Sequence, residues 1–208
     1  FESLSFRACK FGMLLVLVFA IPLSLELPMV MRLWLVNPPE YSIELCWCMR
    51  LSALIDKSTI GHMIAINAKG RIALYQIFLG GVLILTLPIA WFFVRCGFGV
   101  YGVGIAWSLM QIICALGRTV FAHFLVGFSM RYWLGKIVLP LLLVTLICSF
   151  VGFCFRWLCE AVMMRIVYTT IICEIVFLPL VWLIVLDKDE RDFVMSKLNQ
   201  KRSKFGRD

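Results

Sequence analysis

The sequence predicts an all-α, polytopic membrane protein, a bundle of about six transmembrane helices. Of its 208 residues, 62 % are hydrophobic and only 15 % are charged, and the mean hydropathy is +0.98. Soluble domains average about 45–50 % apolar and about 25 % charged residues, so a soluble fold of this length could not cover its apolar surface. The apolar runs are continuous, whereas a transmembrane β-barrel has alternating segments of roughly ten residues.

Six apolar stretches are long enough to cross a bilayer, for which a helix needs about 20 residues. We predict spans at 11–35, 45–66, 74–94, 100–126, 134–155 and 162–186, followed by a charged tail at 187–208. The first span contains Pro22 and Pro28, so it is the helix most prone to bend or break. The tail either forms a short amphiphilic helix on the membrane surface or stays a solvated end.

Lysine and arginine residues set the predicted orientation. With the N-terminus placed in the cytoplasm, and with residues within three positions of a span end counted on the adjoining side, thirteen of them lie on the side of the termini, four on the opposite side and three inside spans. This bias follows the positive-inside rule, so both termini are expected in the cytoplasm. Topology accounts for the net charge of +8, and no nucleic-acid partner is expected. The sequence begins with Phe1 instead of Met and leads into an apolar span with no cleavage site, so we expect the C-terminal part of a longer protein.

Several patterns resemble functional motifs, but the residues around them argue against a metal site, a nucleotide site or an active site. The nine cysteines have spacings that suit neither a zinc site nor a redox pair, so we interpret them as small buried residues and expect no metal or cofactor. Residues 97–102 read GFGVYG between two apolar spans, with no acidic residue until Glu160. We therefore predict a tight turn at Gly97 and Gly99 instead of a nucleotide site. No catalytic motif is present, so the chain is not expected to be an enzyme.

The second predicted span differs from the others because it carries polar groups that are costly in hydrocarbon. It contains Arg50, Asp56, Lys57, Ser58, Thr59 and His62. Such groups usually face a bundle interior or a water-filled cavity. On a helical wheel Arg50, Lys57 and Gly61 share one direction, and two cations beside hydroxyls suit an anion with several oxygens. The alternative is that Arg50 snorkels outward while Lys57 only neutralises Asp56.

Glu26 is a second candidate, because it lies between the two prolines of the first span. It could carry a proton or a cation, or it could pair with Arg50 or Lys57 across a helix interface. Glu174 and Arg118 are similar charged residues with a weaker context. The predicted lining of a substrate cavity is therefore Glu26, Arg50, Asp56, Lys57, Thr59 and His62.

Two segments resemble a known family. Residues 22–42, PLSLELPMVMRLWLVNPPEYS, and residues 67–108, with their Tyr-Gln pair, Leu-Pro-Ile and glycine-rich turn, resemble bacterial polysaccharide flippases. These are the O-antigen and capsule repeat-unit translocases of the multidrug/oligosaccharidyl-lipid/polysaccharide exporter superfamily. Trp34-Leu35 with Pro39-Glu40-Tyr41 is the distinctive part. The similarity covers residues 1–135, and the last two spans match only in hydropathy.

The resemblance implies a two-lobe, MATE-like transporter with a central cavity and alternating access, of which this chain supplies the C-terminal lobe. It implies an undecaprenyl-diphosphate-linked oligosaccharide as substrate, moved across the bacterial inner membrane for polysaccharide and lipopolysaccharide biosynthesis. Arg50 and Lys57 would then hold the diphosphate, and H⁺ or Na⁺ could be the coupling ion. The alternatives are an ion-coupled small-molecule exporter of the same fold, a membrane-embedded transferase, and an inactive truncated fragment.

Overall fold

The structure, a computed structural model, describes residues 2–35, 37–70, 72–156 and 162–205. All regular elements in these ranges are helices and none is a strand, which confirms the predicted all-α class. In chain order the α-helices are α1 (Glu2–Leu25), α2 (Leu27–Trp34), α3 (Ser42–Ser58), α4 (Ile60–Ala68), α5 (Ala73–Phe93), α6 (Tyr101–Val126), α7 (Met130–Trp133), α8 (Leu139–Arg156), α9 (Val162–Leu180) and α10 (Lys188–Phe205).

Five continuous helical segments of the described chain have the length and apolar composition needed to cross a membrane. They are Glu2–Leu25, Ala73–Phe98, Tyr101–Val126, Met130–Arg156 and Met164–Val185. The fourth and fifth of these include one wider, π-helical turn each, and the second has non-helical backbone angles at Gly97, near its end. A helix bonds its own backbone N–H and C=O groups, which is what allows such a segment to lie in hydrocarbon. The predicted polytopic helical bundle is confirmed.

The predicted span at 45–66 is a pair of helices instead of one. It corresponds to α3, of 17 residues, and α4, of 9 residues, which meet at Thr59. Each is too short to cross a bilayer alone, whereas the two in series cover residues 42–68. Together with the five long segments, this broken pair gives six crossings, and we call the α3–α4 pair the second crossing.

The first predicted span, 11–35, also differs from the observed helices. Helix α1 starts earlier, at Glu2, and ends at Leu25, and Glu26 forms a turn before α2. The break falls between Pro22 and Pro28, as the two prolines predicted, because a proline nitrogen cannot donate to the helix ladder. At the other end of the chain, the predicted tail forms α10, and its residues 206–208 lie outside the described part.

Helix α1 is the centre of the bundle. It packs against α3 and α4 on one side and against α8 and α9 on the other, and α6 packs on α3, α4 and α5. Helix α5 is peripheral, and only Tyr75 and Val82 are buried along it. Its large apolar side chains point away from the protein, as expected for a helix that faces lipid.

Glycines allow the closest helix contacts. A Cβ atom placed on Gly61 of α4 would lie 1.9 Å from the carbonyl oxygen of Ser5 in α1. A Cβ atom on Gly104 of α6 would lie 3.0 Å from Cys48 Sγ in α3. Small residues at such positions let helix backbones approach in membranes. The predicted turn between α5 and α6 is confirmed by positive φ angles of 93° at Gly97 and 54° at Gly99.

Both ends of the described chain meet at one end of the bundle. Lys10 Nζ of α1 lies 2.8 Å from Asp187 Oδ2 and 2.8 Å from Glu190 Oε2 at the start of α10. Lys10 and Glu190 are almost completely buried. The hydrogen bond from Lys10 lowers the pKa of Asp187 below its ordinary value. These ion pairs fix α10 against the first turns of α1.

Candidate functional site

The break between α3 and α4 is caused by hydroxyl groups that compete for backbone carbonyls. Ser58 Oγ donates to the carbonyl of Ile55 at 2.7 Å, and Thr59 Oγ1 donates to the carbonyl of Asp56 at 3.3 Å. Such local bonds offer the backbone an alternative to the helix ladder, and the glycine at position 61 has a low helix propensity. Thr59 therefore adopts φ −118° and ψ 8° and ends α3.

Side chains from other helices bond the carbonyls at this break. Trp133 Nε1 of α7 donates to the carbonyl of Ser58 at 2.9 Å. Arg118 Nη1 of α6 lies 3.5 Å from the carbonyl of Asp56 and 3.3 Å from Thr59 Oγ1. Buried backbone groups need such partners in a membrane. The break is therefore held by α6 and α7.

A charged cluster surrounds the break. Asp56 Oδ1 accepts from Arg118 Nη1 at 2.5 Å, and Asp56 Oδ2 lies 3.1 Å from Lys57 Nζ. The Arg118 side chain is 11 % exposed, whereas Asp56 and Lys57 are 32 % and 37 % exposed. One carboxylate therefore faces two cations, and the ammonium of Lys57 is the most accessible of the three groups.

This cluster, Asp56, Lys57 and Arg118, lies near the middle of the α3–α4 pair. Asp56 follows the start of α3 by fourteen residues and precedes the end of α4 by twelve. At 1.5 Å per residue this places it roughly 21 Å and 18 Å from the two ends of the pair. Charged groups at this depth cannot reach the lipid head groups on either side. The free-energy cost of burying them is therefore compensated by the ion pairs inside the protein.

Arg50 lies two helical turns before Lys57, on the face of α3 that packs against α1. Its guanidinium donates to the carbonyl of Ala20 and to Ser24 Oγ, and it lies 5.4 Å from the ring centroid of Trp47. Arg50 Nε and Nη1 are buried and have no hydrogen-bond partner among the described residues. In this structure α1 covers Arg50, so it does not line an open cavity of the kind predicted.

Glu26 pairs with two arginines instead of with Arg50 or Lys57, the partners considered from the sequence. It is 1 % exposed and accepts from Arg165 of α9, with Nη2 at 3.0 Å and Nε at 3.1 Å. Arg156 Nε at the end of α8 lies 3.7 Å from Glu26 Oε1, and Arg156 Nη1 donates to the carbonyl of Leu25 at 3.0 Å. This arrangement ties the turn between α1 and α2 to α8 and α9, and it is separate from Arg50 and Lys57.

His62 lies in an aromatic box instead of a polar cavity. It is 1 % exposed, and its ring centroid lies 6.1 Å from Phe6, 5.6 Å from Phe128 and 5.3 Å from Trp133. Its Nδ1 has no hydrogen-bond partner within the described residues. The structure therefore brings Asp56, Lys57 and Thr59 together but leaves Glu26, Arg50 and His62 in separate environments.

A cleft beside the second crossing runs between α1, α3 and α8. It has a volume of about 370 Å³ and its polar lining residues are Ser58 and Thr145. Apolar residues, including Leu17, Leu51 and Leu142, form the rest of its wall. None of the six predicted cavity residues is among those that line this cleft, although Leu51 and Ser58 directly follow Arg50 and Lys57 in sequence.

Three arginines that take part in the site were absent from the predicted cavity lining. Arg118 had a detectable signal, since it is the only Asp, Glu, Lys or Arg residue between 101 and 126. Arg156 and Arg165 were counted among the cations on the side opposite the termini, because they lie near the junction of the fifth and sixth predicted spans. Their partner Glu26 is about 130 residues away, and such distant pairing leaves no pattern in a single sequence.

Comparison with known proteins identifies no relative: no protein-family model, curated protein or solved structure matches this chain.

Proposed function

We propose that this chain is the C-terminal lobe of a MATE-like flippase that moves undecaprenyl-diphosphate-linked oligosaccharide repeat units across the bacterial inner membrane. The resemblance of residues 22–42 and 67–108 to polysaccharide flippases supports the family and the substrate class. The charge arrangement around the second crossing supports an anionic cargo. The bias of lysine and arginine supports an orientation with both termini in the cytoplasm.

One observation carries the proposal: cations outnumber carboxylates in the middle of this membrane bundle. Arg50, Lys57 and Arg118 lie along α3 and α6, and the ion pairs of this region include a single carboxylate, Asp56. Arg50 keeps two buried nitrogens without a partner among the described residues. An uncompensated positive charge at this depth is costly unless an anion occupies the site during the working cycle. A diphosphate supplies that anion, and guanidinium groups bind its oxygens strongly.

Arg50 and Lys57 define a path for the head group. They are seven residues apart, roughly 10 Å along the helix axis. The Lys57 side chain is 37 % exposed, whereas α1 covers Arg50. In the proposed cycle, a movement of α1 relative to α3 exposes Arg50. In this mechanism the diphosphate passes from one cation to the next while the oligosaccharide follows through a hydrated passage that the movement of α1 opens. No covalent bond forms or breaks, so no nucleophile is required.

The pairing of the acidic residues favours this function over an ion-coupled exporter. A coupling carboxylate must release and bind its proton or cation in each cycle. Glu26 is paired with Arg165 and Arg156, and Asp56 with Arg118 and Lys57. Each of these two carboxylates therefore faces two cations, which suits a structural role better than that of a carrier.

The experiment is made at the chromosomal gene, so that any sequence beyond this chain is retained. We expect Arg50→Ala and Lys57→Ala each to lower surface polysaccharide at least tenfold while the protein remains inserted in the membrane. Lys57→Arg should retain most of the wild-type amount, because it keeps the positive charge. The matched control is Lys69→Ala, since Lys69 is an exposed cation just after α4, and it should leave polysaccharide unchanged. Normal polysaccharide in both alanine variants would refute the proposal.

A further inference from the structure

A second cleft lies at the end of the bundle where α1 begins. It has a volume of about 460 Å³ and lies between α1, α4 and α10. Its apolar walls are Leu4, Ala8, Phe11, Ile64, Ala65 and Phe193. Neither Arg50 nor Lys57 is among its lining residues, and the proposed transport path does not use it.

Cations stand at the rim of this cleft, which we call the α1/α4/α10 cleft. Arg7 lines it, its side chain is 50 % exposed, and its Nε lies 3.7 Å from Glu190 Oε1. Lys197 Nζ lies 5.8 Å from the ring centroid of Phe193, which forms the α10 wall. The one carboxylate in the lining, Glu190, is 5 % exposed and is bound by Lys10 at 2.8 Å. The accessible charge at the rim is therefore positive.

The chain beyond this rim continues the positive charge. From Phe193 to Phe205, α10 contains no Asp or Glu, and its sequence adds Lys201, Arg202 and Lys204 to Lys197. Helix α10 follows the last crossing after only two residues, Leu186 and Asp187, so it starts at the membrane boundary. A basic helix at this position attracts anionic lipid head groups.

We propose that the α1/α4/α10 cleft binds one anionic phospholipid, with an acyl chain between Phe11 and Ile64 and the phosphate between Arg7 and Lys197. The apolar walls and the position at the membrane boundary select a lipid chain over a soluble ligand. The positive rim selects an anionic over a zwitterionic head group. The bound lipid bridges α1, α4 and α10, so it adds to the ion pairs that hold α10 in place.

The test uses the purified full-length protein in detergent with equal amounts of phosphatidylglycerol and phosphatidylethanolamine, and native mass spectrometry counts the lipids retained. We expect at least threefold more phosphatidylglycerol than phosphatidylethanolamine. Lys197→Gln should lower this preference at least twofold. The matched control is Lys188→Gln, an exposed cation at the start of the same helix, which should leave the preference unchanged.

A second set of variants tests the cleft itself. Ile64→Trp fills the cleft and should lower the retained phosphatidylglycerol at least threefold, and Ala8→Phe provides an independent filling from α1. Ile77→Trp is the control, because Ile77 is 70 % exposed on the peripheral helix α5. Equal retention of the two lipids would overturn the proposal. Wild-type retention in both cleft-filling variants would also overturn it, and would leave the proposed transport function unaffected.

Discussion

Arg118 of α6 donates to the carboxylate of Asp56, with Nη1 2.5 Å from Oδ1, across the interface that closes the broken second crossing. The same nitrogen lies within 3.5 Å of the Asp56 carbonyl and within 3.3 Å of Thr59 Oγ1. One guanidinium group therefore balances the mid-membrane carboxylate and also bonds the backbone that the break leaves open. This explains how α3 and α4 can be interrupted in hydrocarbon, because the Asp56 carbonyl at the break has a side-chain partner.

Removing Asp56 alone should destabilise the protein more than removing Asp56 and Arg118 together. Asp56→Ala leaves both Arg118 and Lys57 without their carboxylate. Arg118→Ala leaves Asp56 paired with Lys57, and the double variant leaves only Lys57 without the carboxylate. We expect a coupling energy between Asp56 and Arg118 of about 1–3 kcal/mol. This coupling energy is lower than that of a fully buried ion pair, because the Asp56 side chain is 32 % exposed. The free energy of unfolding in detergent, measured for the four proteins of the cycle, gives this energy. A coupling energy near zero would contradict the pairing.

The contact between α1 and α4 should tolerate no side chain at Gly61. Gly61→Ala places a Cβ atom 1.9 Å from the Ser5 carbonyl oxygen, so α1 and α4 must separate. We expect a loss of about 1–3 kcal/mol or more in the free energy of unfolding. Gly80→Ala is the matched control in α5, because no atom lies within 4 Å of the added Cβ. It should be neutral or stabilising by up to about 1 kcal/mol. Equal effects of the two substitutions would show that the close approach is absent.

Neutralising Glu26 should loosen the join between the α1–α2 turn and helices α8 and α9. Glu26→Gln removes the carboxylate that contacts both Nη2 and Nε of Arg165. Because Glu26 is only 1 % exposed, water cannot replace this carboxylate. We expect a loss of about 3–5 kcal/mol in the free energy of unfolding. Glu44→Gln provides the control, since Glu44 is an exposed acid in the first turn of α3, with an expected change within about 0.5 kcal/mol. A loss no larger than that of the control would argue against a buried ionic cluster.

The docking of α10 should depend on pH. Since Lys10 lowers the pKa of Asp187 in the folded protein, the stabilisation is present above the pKa of the unfolded chain and is lost as the pH falls through the lower, folded value. We therefore expect α10 to remain docked at neutral pH and to detach only below about pH 4. Protease cleavage within α10, followed from pH 7 to pH 3, measures this. Asp187→Asn should remove part of the acid-dependent rise in cleavage, and an unchanged profile would contradict the ion pair.

The positions of the helices could be predicted from the sequence more completely than the contact partners of their side chains could. Apolar length identified the crossings, and Pro22 with Pro28 indicated the break at Glu26, because these are local properties. The break at Thr59 was missed, since it depends on serine and threonine hydroxyls and on Arg118 from another helix. The environments of Glu26, Arg50 and His62 were missed for the same reason: they depend on which helices are neighbours, and a single sequence contains no signal for that.

The central claim is that the mid-membrane cations border a water-filled path for an anion. It is tested most directly by comparing Lys57→Cys in α3 with Ile84→Cys in α5. Both replaced residues lie deep in the bilayer and both side chains are accessible, but Ile84, at 73 % exposure, belongs to the peripheral helix that faces lipid. A charged, water-soluble methanethiosulfonate reagent is applied to membranes, and site-resolved mass spectrometry measures labelling at each position. The account predicts labelling at position 57 at least tenfold above that at position 84. Equal, background-level labelling at the two positions would contradict it.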